Sequence, residues 1–242
     1  MSLDFSPSPA AASTARRVVS HASMEARLIL RNGEQAILAV VIPLAVLVGA
    51  RFFGDRFGLP LSQAAPSVLA LAMWSSGLTT LAIATGFERR YNVLERLAAT
   101  PLGRPGILAG KALSIAMITA GQVLVLSLAA LALGWRPVWS LPAALGAFAG
   151  IALSIAGSLR PEATLAVANL AYLVGMPLGI LLPVDRFPAW AQPVVSALPT
   201  GALGETLRAA AAGTALGWPV AVTALWCVAA LALARKVFTW TS

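Results

Sequence analysis

The sequence has little of what a soluble globular protein needs at its surface. Only 11% of its 242 residues are charged, whereas 59% are hydrophobic, and the mean hydropathy is +0.83. A soluble domain of ordinary composition is about a quarter charged, so this chain has too few polar side chains to cover a water-exposed surface. The shortage excludes an ordinary soluble enzyme and predicts a membrane protein.

Several reactive residue types are also scarce. Cys227 is the only cysteine and lies in an apolar run, so an intramolecular disulfide is excluded. His21, the only histidine, has no second metal ligand near it in the sequence, and we expect it on the polar face of a helix. The first twenty residues lack the apolar stretch of a cleaved signal peptide, and residues 1–13 read as a disordered lead-in.

The chain also lacks a nucleotide-binding loop, although the run Gly110-Lys111 suggests one. In such a loop a glycine stands five residues before the final glycine, and a hydroxyl residue follows the lysine. Here Pro105 and Ala112 take those two positions. Proline has no N–H to offer a phosphate and alanine cannot bind magnesium. The sequence therefore predicts no ATP or magnesium site, and no catalytic residue, in this chain.

Six apolar runs are long enough, or nearly so, to cross a bilayer, which takes about 20 residues. Together they predict an all-α polytopic protein with six transmembrane helices, at about residues 35–50, 65–87, 112–134, 141–159, 163–182 and 216–234. The first run contains Pro43, which we expect to bend it. Acidic residues and histidine are missing from the middle of these runs, which disfavours a proton- or sodium-driven transporter.

The basic residues are distributed unevenly between the two sides of these spans. Twelve of the 17 Lys and Arg residues fall on the side that holds both termini and the second and fourth connections. Because positive charge is retained on the cytoplasmic side, both termini are predicted to be cytoplasmic, in the inner (plasma) membrane. The net charge of +8 is explained by this orientation, and nucleic-acid binding is not expected.

Two segments outside the spans have their own patterns. Residues 14–33 predict an amphipathic helix with arginines on one side and, on the other, the apolar residues Val18, Val19, Ala22, Ala26, Ile29 and Leu30. We expect it to lie in the membrane interface with its apolar face in lipid; a soluble amphipathic helix is the alternative. Residues 183–215 predict short helices broken at Pro188, Pro193 and Pro199, in a re-entrant or outer-leaflet hairpin.

The connection between spans two and three predicts a short cytoplasmic helix. From Glu88 to Ala99, an apolar stripe faces one way and charged residues face the other. Thr100-Pro101 should end this helix, because the residue before proline is disfavoured in helical geometry. Gly103, Pro105 and Gly106 then predict a turn, and Lys111 should extend to the lipid head groups.

This region resembles the cytoplasmic signature of ABC type-2 exporter permeases, including the daunorubicin-resistance type. The pattern is E-R-x(4)-L-x-R-L-x-x-T-P-x-x-R-x-x-I-L-x-G-K, which starts at Glu88 and ends at Lys111, and the similarity extends over nearly the whole chain. One departure is that family members commonly carry an acidic residue and a glycine after the arginine pair, where this chain has Tyr91, Asn92 and Val93. The resemblance predicts a single transmembrane domain over residues 14–242.

The resemblance also implies the partners. A separate cytosolic ABC ATPase would bind ATP and magnesium, a second permease, identical or paralogous, would complete the path, and lipids would surround both. The helix between spans two and three would dock on the ATPase as a coupling helix. The coupling residues implied are Glu88, Arg89, Tyr91, Leu94, Glu95, Arg96, Leu97, Thr100, Pro101 and Arg104. The alternative is a solvated loop whose charges only set the topology.

Spans two and five line the central cavity in the resembled family. The candidates for a substrate path in this chain are Trp74, Thr79, Asn169, Tyr172 and Met176, and Gly175-Met176-Pro177 predict a break in the fifth span. Their aromatic, thioether and hydroxyl character favours an amphipathic drug-like or lipid-like substrate. Close helix packing is the alternative role for such small and polar residues. A polysaccharide, haem or ion exporter, or a membrane assembly factor that transports nothing, stays open as an alternative function.

Overall fold

The structure is a computed structural model that describes residues 12–31, 33–76, 88, 91–138, 150–152, 155, 170, 172–214 and 217–237. All regular elements in these ranges are helical, which confirms the expected fold class. They are α1 (Thr14–Arg31), α2 (Gly33–Phe53), α3 (Leu61–Ser75), α4 (Val93–Ala98), α5 (Gly103–Ala132), α6 (Gln192–Ala197), α7 (Pro199–Ala212) and α8 (Trp218–Val237).

Helix α5 is the central element. It has 30 residues, about 45 Å at 1.5 Å per residue, and among the described helices it alone meets both the length and the apolarity that a membrane span needs. The sequence predicted a turn at residues 103–106 and a span from Ala112. The helix instead begins at Gly103, which has φ +63°, so the predicted turn is the first turn of α5 and Lys111 lies inside the helix.

Helix α1 lies against the first half of α5, on the face that was expected to contact lipid. Ala22 and Ala26 are buried in this contact, together with His21 and Glu25. The arginines of α1 lie on the opposite side, where Arg16, Arg27 and Arg31 are exposed. The amphipathic pattern is therefore confirmed: the alanine side of the apolar face packs on the protein, whereas Val19 and Leu30 are exposed, and their contact with lipid stays a prediction.

Helices α2, α3 and α5 are joined by a polar contact that Pro43 makes necessary. Pro43 has no N–H, so the carbonyl oxygen of Ala39, four residues earlier, loses its helical partner. The side chain of Gln122 on α5 donates to that oxygen from Nε2 at 2.6 Å. Ser76, just after α3, donates to Gln122 Oε1, also at 2.6 Å. The proline in α2 is accommodated because a neighbouring helix satisfies the freed carbonyl.

The chain is broken where the sequence predicted a break after residue 175. Residues 172–175 are helical, Met176–Ile180 form a wide turn, and Leu178 and Gly179 have non-helical backbone angles, with φ +86° at Gly179. Helix α7 approaches this break closely, since a Cβ on Gly204 would collide with the carbonyl oxygen of Gly179, and a Cβ on Gly179 would collide with the backbone of Gly201. Glycine at these positions permits the contact.

The connection that follows folds back into the protein. Helices α6 and α7 begin beside Pro193 and Pro199, so these prolines start helices and do not merely interrupt them. Helix α7 packs on α3 and α8, and most of its residues are buried. This agrees with the hairpin expected for residues 183–215. The fourth predicted span and the first part of the fifth lie mostly outside the described residues.

Candidate functional site

A cluster of buried charged groups joins three segments of the chain at one end of α5. Its centre is Lys111, whose side chain is only 1% exposed. The Nζ atom lies 3.1 Å from Glu25 Oε1 on α1 and 2.6 Å from Glu88 Oε2, in the segment before α4. The expectation that Lys111 reaches the lipid head groups is therefore wrong. Two carboxylates stabilise the ammonium inside the protein, where an unpaired charge would be costly.

His21 completes this cluster on α1. Its Nε2 lies 3.5 Å from Glu25 Oε1, one helical turn away. The imidazole ring lies against Gly110 of α5, where an added Cβ would collide with His21 Cδ2. Gly110 therefore serves close packing of α1 on α5. The prediction that His21 lies on a polar, exposed face is wrong, because the ring is buried.

The cluster contains two carboxyl groups and one ammonium, and burial shifts the pKa of both His21 and Glu88. Burial lowers the pKa of His21 below its usual value, with a further small contribution from Lys111 and an opposing one from Glu25, so the ring is neutral at pH 7. Burial raises the pKa of Glu88, although Lys111 opposes the shift. With both carboxyl groups ionised the cluster has an excess negative charge, and the nearby Glu25 adds a smaller upward contribution to the pKa of Glu88.

The segment from Glu88 to Leu102 does not contain the continuous helix that the sequence predicted from Glu88 to Ala99. Residue 88 is helical, Tyr91 and Asn92 form a turn, and α4 covers only Val93–Ala98. Asn92 has φ +55°, a left-handed conformation that asparagine tolerates better than most residues. The end of the helix is confirmed, since Thr100 Oγ1 donates to Leu97 O at 2.6 Å and Pro101 follows.

This segment is fastened to the rest of the protein at three points. Glu88 pairs with Lys111 on α5. Leu94 is fully buried where α4 packs on α5. The guanidinium of Arg17 on α1 donates to the carbonyl oxygen of Pro101 in the turn after α4. These contacts connect the segment to both α1 and α5.

The predicted coupling residues fall into two groups in this structure. Leu94 is buried and Leu97 is half-buried, so Leu94 anchors α4 to its own chain and offers no surface to a partner. Tyr91 is 64% exposed. The other exposed members are Glu95, Arg96, Thr100, Pro101 and Arg104. Arg89 lies outside the described residues. The surface that α4 presents to solvent is therefore one exposed aromatic ring within a charged patch.

The structure describes three of the five predicted substrate-path residues. Trp74, Tyr172 and Met176 are partly buried and pack against one hydrophobic core. Trp74 also lies against Gly175, where an added Cβ would be 2.8 Å from Trp74 Nε1. That indole nitrogen is buried and has no hydrogen-bond partner among the described residues. Thr79 and Asn169 lie outside the part of the chain that the structure describes.

Sequence reasoning missed Glu25 and the role of His21. Both lie on the side of α1 that carries the alanines, and their i,i+4 spacing puts two ionisable groups on an apolar helix face. Such a pair in an otherwise apolar stripe is the signal that could have indicated a buried polar contact. Its partner, Lys111, is 86 residues away, and nothing local to α1 identifies it.

The model of the family described as ABC-2 type transporter matches residues 21–211 of this chain. The match includes α1 from His21 onward, the segment from Glu88 to Lys111 and most of α7. No curated protein matches the sequence.

Proposed function

Since the chain belongs to the ABC-2 type transporter family and is the membrane permease of an ABC exporter, we propose its substrate class, its partners and its orientation. The permease forms the transmembrane path for an amphipathic drug-like or lipid-like molecule. A separate cytosolic ABC ATPase supplies the energy by hydrolysing ATP with magnesium. A second permease, identical or paralogous, completes the path in the inner membrane, and both termini face the cytoplasm.

The observation that carries this proposal is the way α4 is mounted. One side of the segment is fixed by Leu94, by the Glu88–Lys111 ion pair and by Arg17, while Tyr91, Glu95 and Arg96 remain exposed. A partner that moves on ATP binding would contact the exposed side, and the fixed side would move α1 and α5 as a unit. An aromatic ring surrounded by charged residues is typical of a protein-binding surface.

The coupling role is tested with variants on the exposed side only. Tyr91→Ala and Arg96→Glu should preserve folding, because neither side chain is buried, and should abolish co-purification with the ATPase and substrate-stimulated ATP hydrolysis. The matched control is Arg56→Glu, a charge reversal at an exposed arginine in the Gly54–Phe57 turn after α2. If ATPase binding and stimulated hydrolysis persist in Tyr91→Ala/Arg96→Glu, the coupling assignment is wrong.

The orientation is tested by cysteine labelling from each side of the membrane. Buried Cys227 is first replaced by serine, and single cysteines are then placed at exposed Arg96 and at Trp190, which is 81% exposed. Arg96 should react with an impermeant reagent from the cytoplasmic side and Trp190 from the opposite side. Labelling of both positions from one side would contradict the proposed topology.

The substrate path is proposed to include Trp74, Tyr172 and Met176, with Thr79 and Asn169. Two observations on Trp74 support this path. Its buried indole N–H has no acceptor among the described residues, and its ring contacts Gly175, beside the break in the fifth predicted span. A substrate oxygen would satisfy that donor. Trp74→Phe keeps the ring and removes the N–H, so it should weaken stimulation of ATP hydrolysis by oxygen-rich substrates while ATPase binding stays normal. Unchanged stimulation would remove Trp74 from the path.

A further inference from the structure

A polar cavity lies at the opposite end of α5 from the Lys111 cluster. Its volume is about 640 Å³, and its walls come from the start of α3, the segment after α5, residues 183–185 and α7. Lys111 and Ala132 are 21 residues apart in α5, about 32 Å along the axis, which is close to the thickness of a bilayer core. The cavity therefore opens at the level of the lipid head groups on that side.

One wall of the cavity is held rigidly by Arg208. Its side chain is 9% exposed, and its two terminal nitrogens donate to Ser67 Oγ, Ile180 O, Gly179 O and Glu205 Oε1, all at 2.7 to 2.8 Å. Glu205 Oε1 also accepts from the backbone N–H of Val184 at 2.9 Å. These bonds use one carboxylate oxygen of Glu205, whose side chain remains 29% exposed where it lines the cavity. The carboxylate is consequently fixed in position and accessible.

Other charged and polar side chains also line the cavity. Asp185 and Arg136 are exposed at the wall of the cavity, and neither forms an ion pair with another described residue. Gln63 also lines the cavity, and its Oε1 is buried without a donor. The cavity thus offers two carboxylates, on Asp185 and Glu205, and one guanidinium, that of Arg136, which has no ion-pair partner among the described residues.

We propose that this cavity binds a zwitterion that carries a primary ammonium and an acidic group, with phosphoethanolamine as the model ligand. A primary ammonium has N–H donors for the carboxylates of Asp185 and Glu205, whereas a quaternary ammonium has none. Arg136 would bind the phosphate by a charge-assisted contact. The cavity volume falls in the range of small-molecule sites. The ligand is either the head group of a membrane lipid or a free zwitterion.

The test uses the purified full-length chain, without an ATPase, in nanodiscs that contain equal amounts of phosphatidylethanolamine and phosphatidylcholine. Lipid retained by the protein is identified by native mass spectrometry. Wild type should retain phosphatidylethanolamine preferentially, and Asp185→Asn and Arg136→Gln should each lower its occupancy about tenfold, since each removes a charged hydrogen-bond partner. The matched controls are Asp55→Asn and Arg56→Gln, exposed charges outside the cavity, which should leave occupancy unchanged.

A competition arm distinguishes the two sources. Release of the retained lipid by soluble phosphoethanolamine, but not by phosphocholine, supports a site for the free zwitterion; a preference for the ethanolamine lipid that soluble phosphoethanolamine cannot displace supports a lipid site. Equal retention of the two lipids together with no effect of soluble phosphoethanolamine overturns the proposal, as does an equal loss in Asp55→Asn and Asp185→Asn. Because the ATPase is absent, failure here leaves the transport proposal intact.

Discussion

Lys111 and Arg208 are both buried cations, and the two ends of the molecule hold them in different ways. Lys111 is paired with two carboxylates, Glu25 and Glu88, and burial raises the pKa of Glu88. Arg208 is bound to one carboxylate, one hydroxyl and two backbone carbonyls of the broken segment. A lysine is a compact charge on a flexible stem, whereas the planar guanidinium fixes several acceptors at once. The Lys111 end is built to respond to charge, and the Arg208 end is built to hold a shape.

The largest effect should come from removing the guanidinium. Arg208→Met leaves two buried carbonyl oxygens without their side-chain donor and removes the ion-pair partner of Glu205, so it should lower the free energy of unfolding by about 3–5 kcal/mol. Because backbone carbonyls do not titrate between pH 5 and 8, this loss should be nearly the same throughout that range. Thermal unfolding of the purified chain measures it, with exposed Arg56→Met as the control. A loss no larger than that of the control would show that Arg208 does not hold the break.

Lys111→Met should be nearly as destabilising, but only at high pH. Without the ammonium, two buried carboxylates face each other, and we expect a loss of about 3 kcal/mol at pH 8. Burial raises the pKa of Glu88, so a proton on Glu88 should relieve this penalty as the pH falls, and the penalty should return as the pH rises through the raised value. Equal destabilisation at pH 5 and pH 8 would mean that the two ends do not differ as described.

Losing the contact between Gln122 and the Pro43 turn should have an intermediate effect. Gln122→Ala leaves the carbonyl oxygen of Ala39 and the hydroxyl of Ser76 unpaired, which should cost about 1–3 kcal/mol. Pro43→Ala restores a backbone N–H for Ala39, so Gln122→Ala should cost less in that background. A double-mutant cycle on unfolding measures this coupling. If the two effects simply add, Gln122 does not compensate for the proline.

These contacts also show what the sequence could predict. The helical class, the break after residue 175, the hairpin that follows and the end of α4 at Thr100 were predicted, because they depend on local patterns of apolar residues, proline and glycine. The errors at Lys111 and His21 share one cause. Both side chains are buried beside Glu25, and Glu25 lies 86 residues from Lys111 in the sequence, so no local pattern identifies this contact. Pro43 and Gln122 are a second pair of this kind, since each residue alone is a defect and only the fold brings them together.

The smallest effect should be the removal of the excess negative charge near Lys111. Glu88→Gln leaves the Lys111–Glu25 pair with balanced charge, so stability at pH 7 should change by less than about 1 kcal/mol.

The pKa of Glu88 is raised by burial, which means that the folded wild type binds a proton more readily than the unfolded chain does. Wild-type stability attributable to this group is therefore present below the ordinary glutamate pKa and is lost as the pH rises through the raised value. Glu88→Gln should lack that decline in stability. The control is Glu95→Gln, which changes an exposed glutamate further along the chain and should retain the decline. Parallel stability curves for wild type and Glu88→Gln over pH 4–8 would show that Glu88 does not carry the excess charge, and the responsive character assigned to this end of the molecule would have to come from His21.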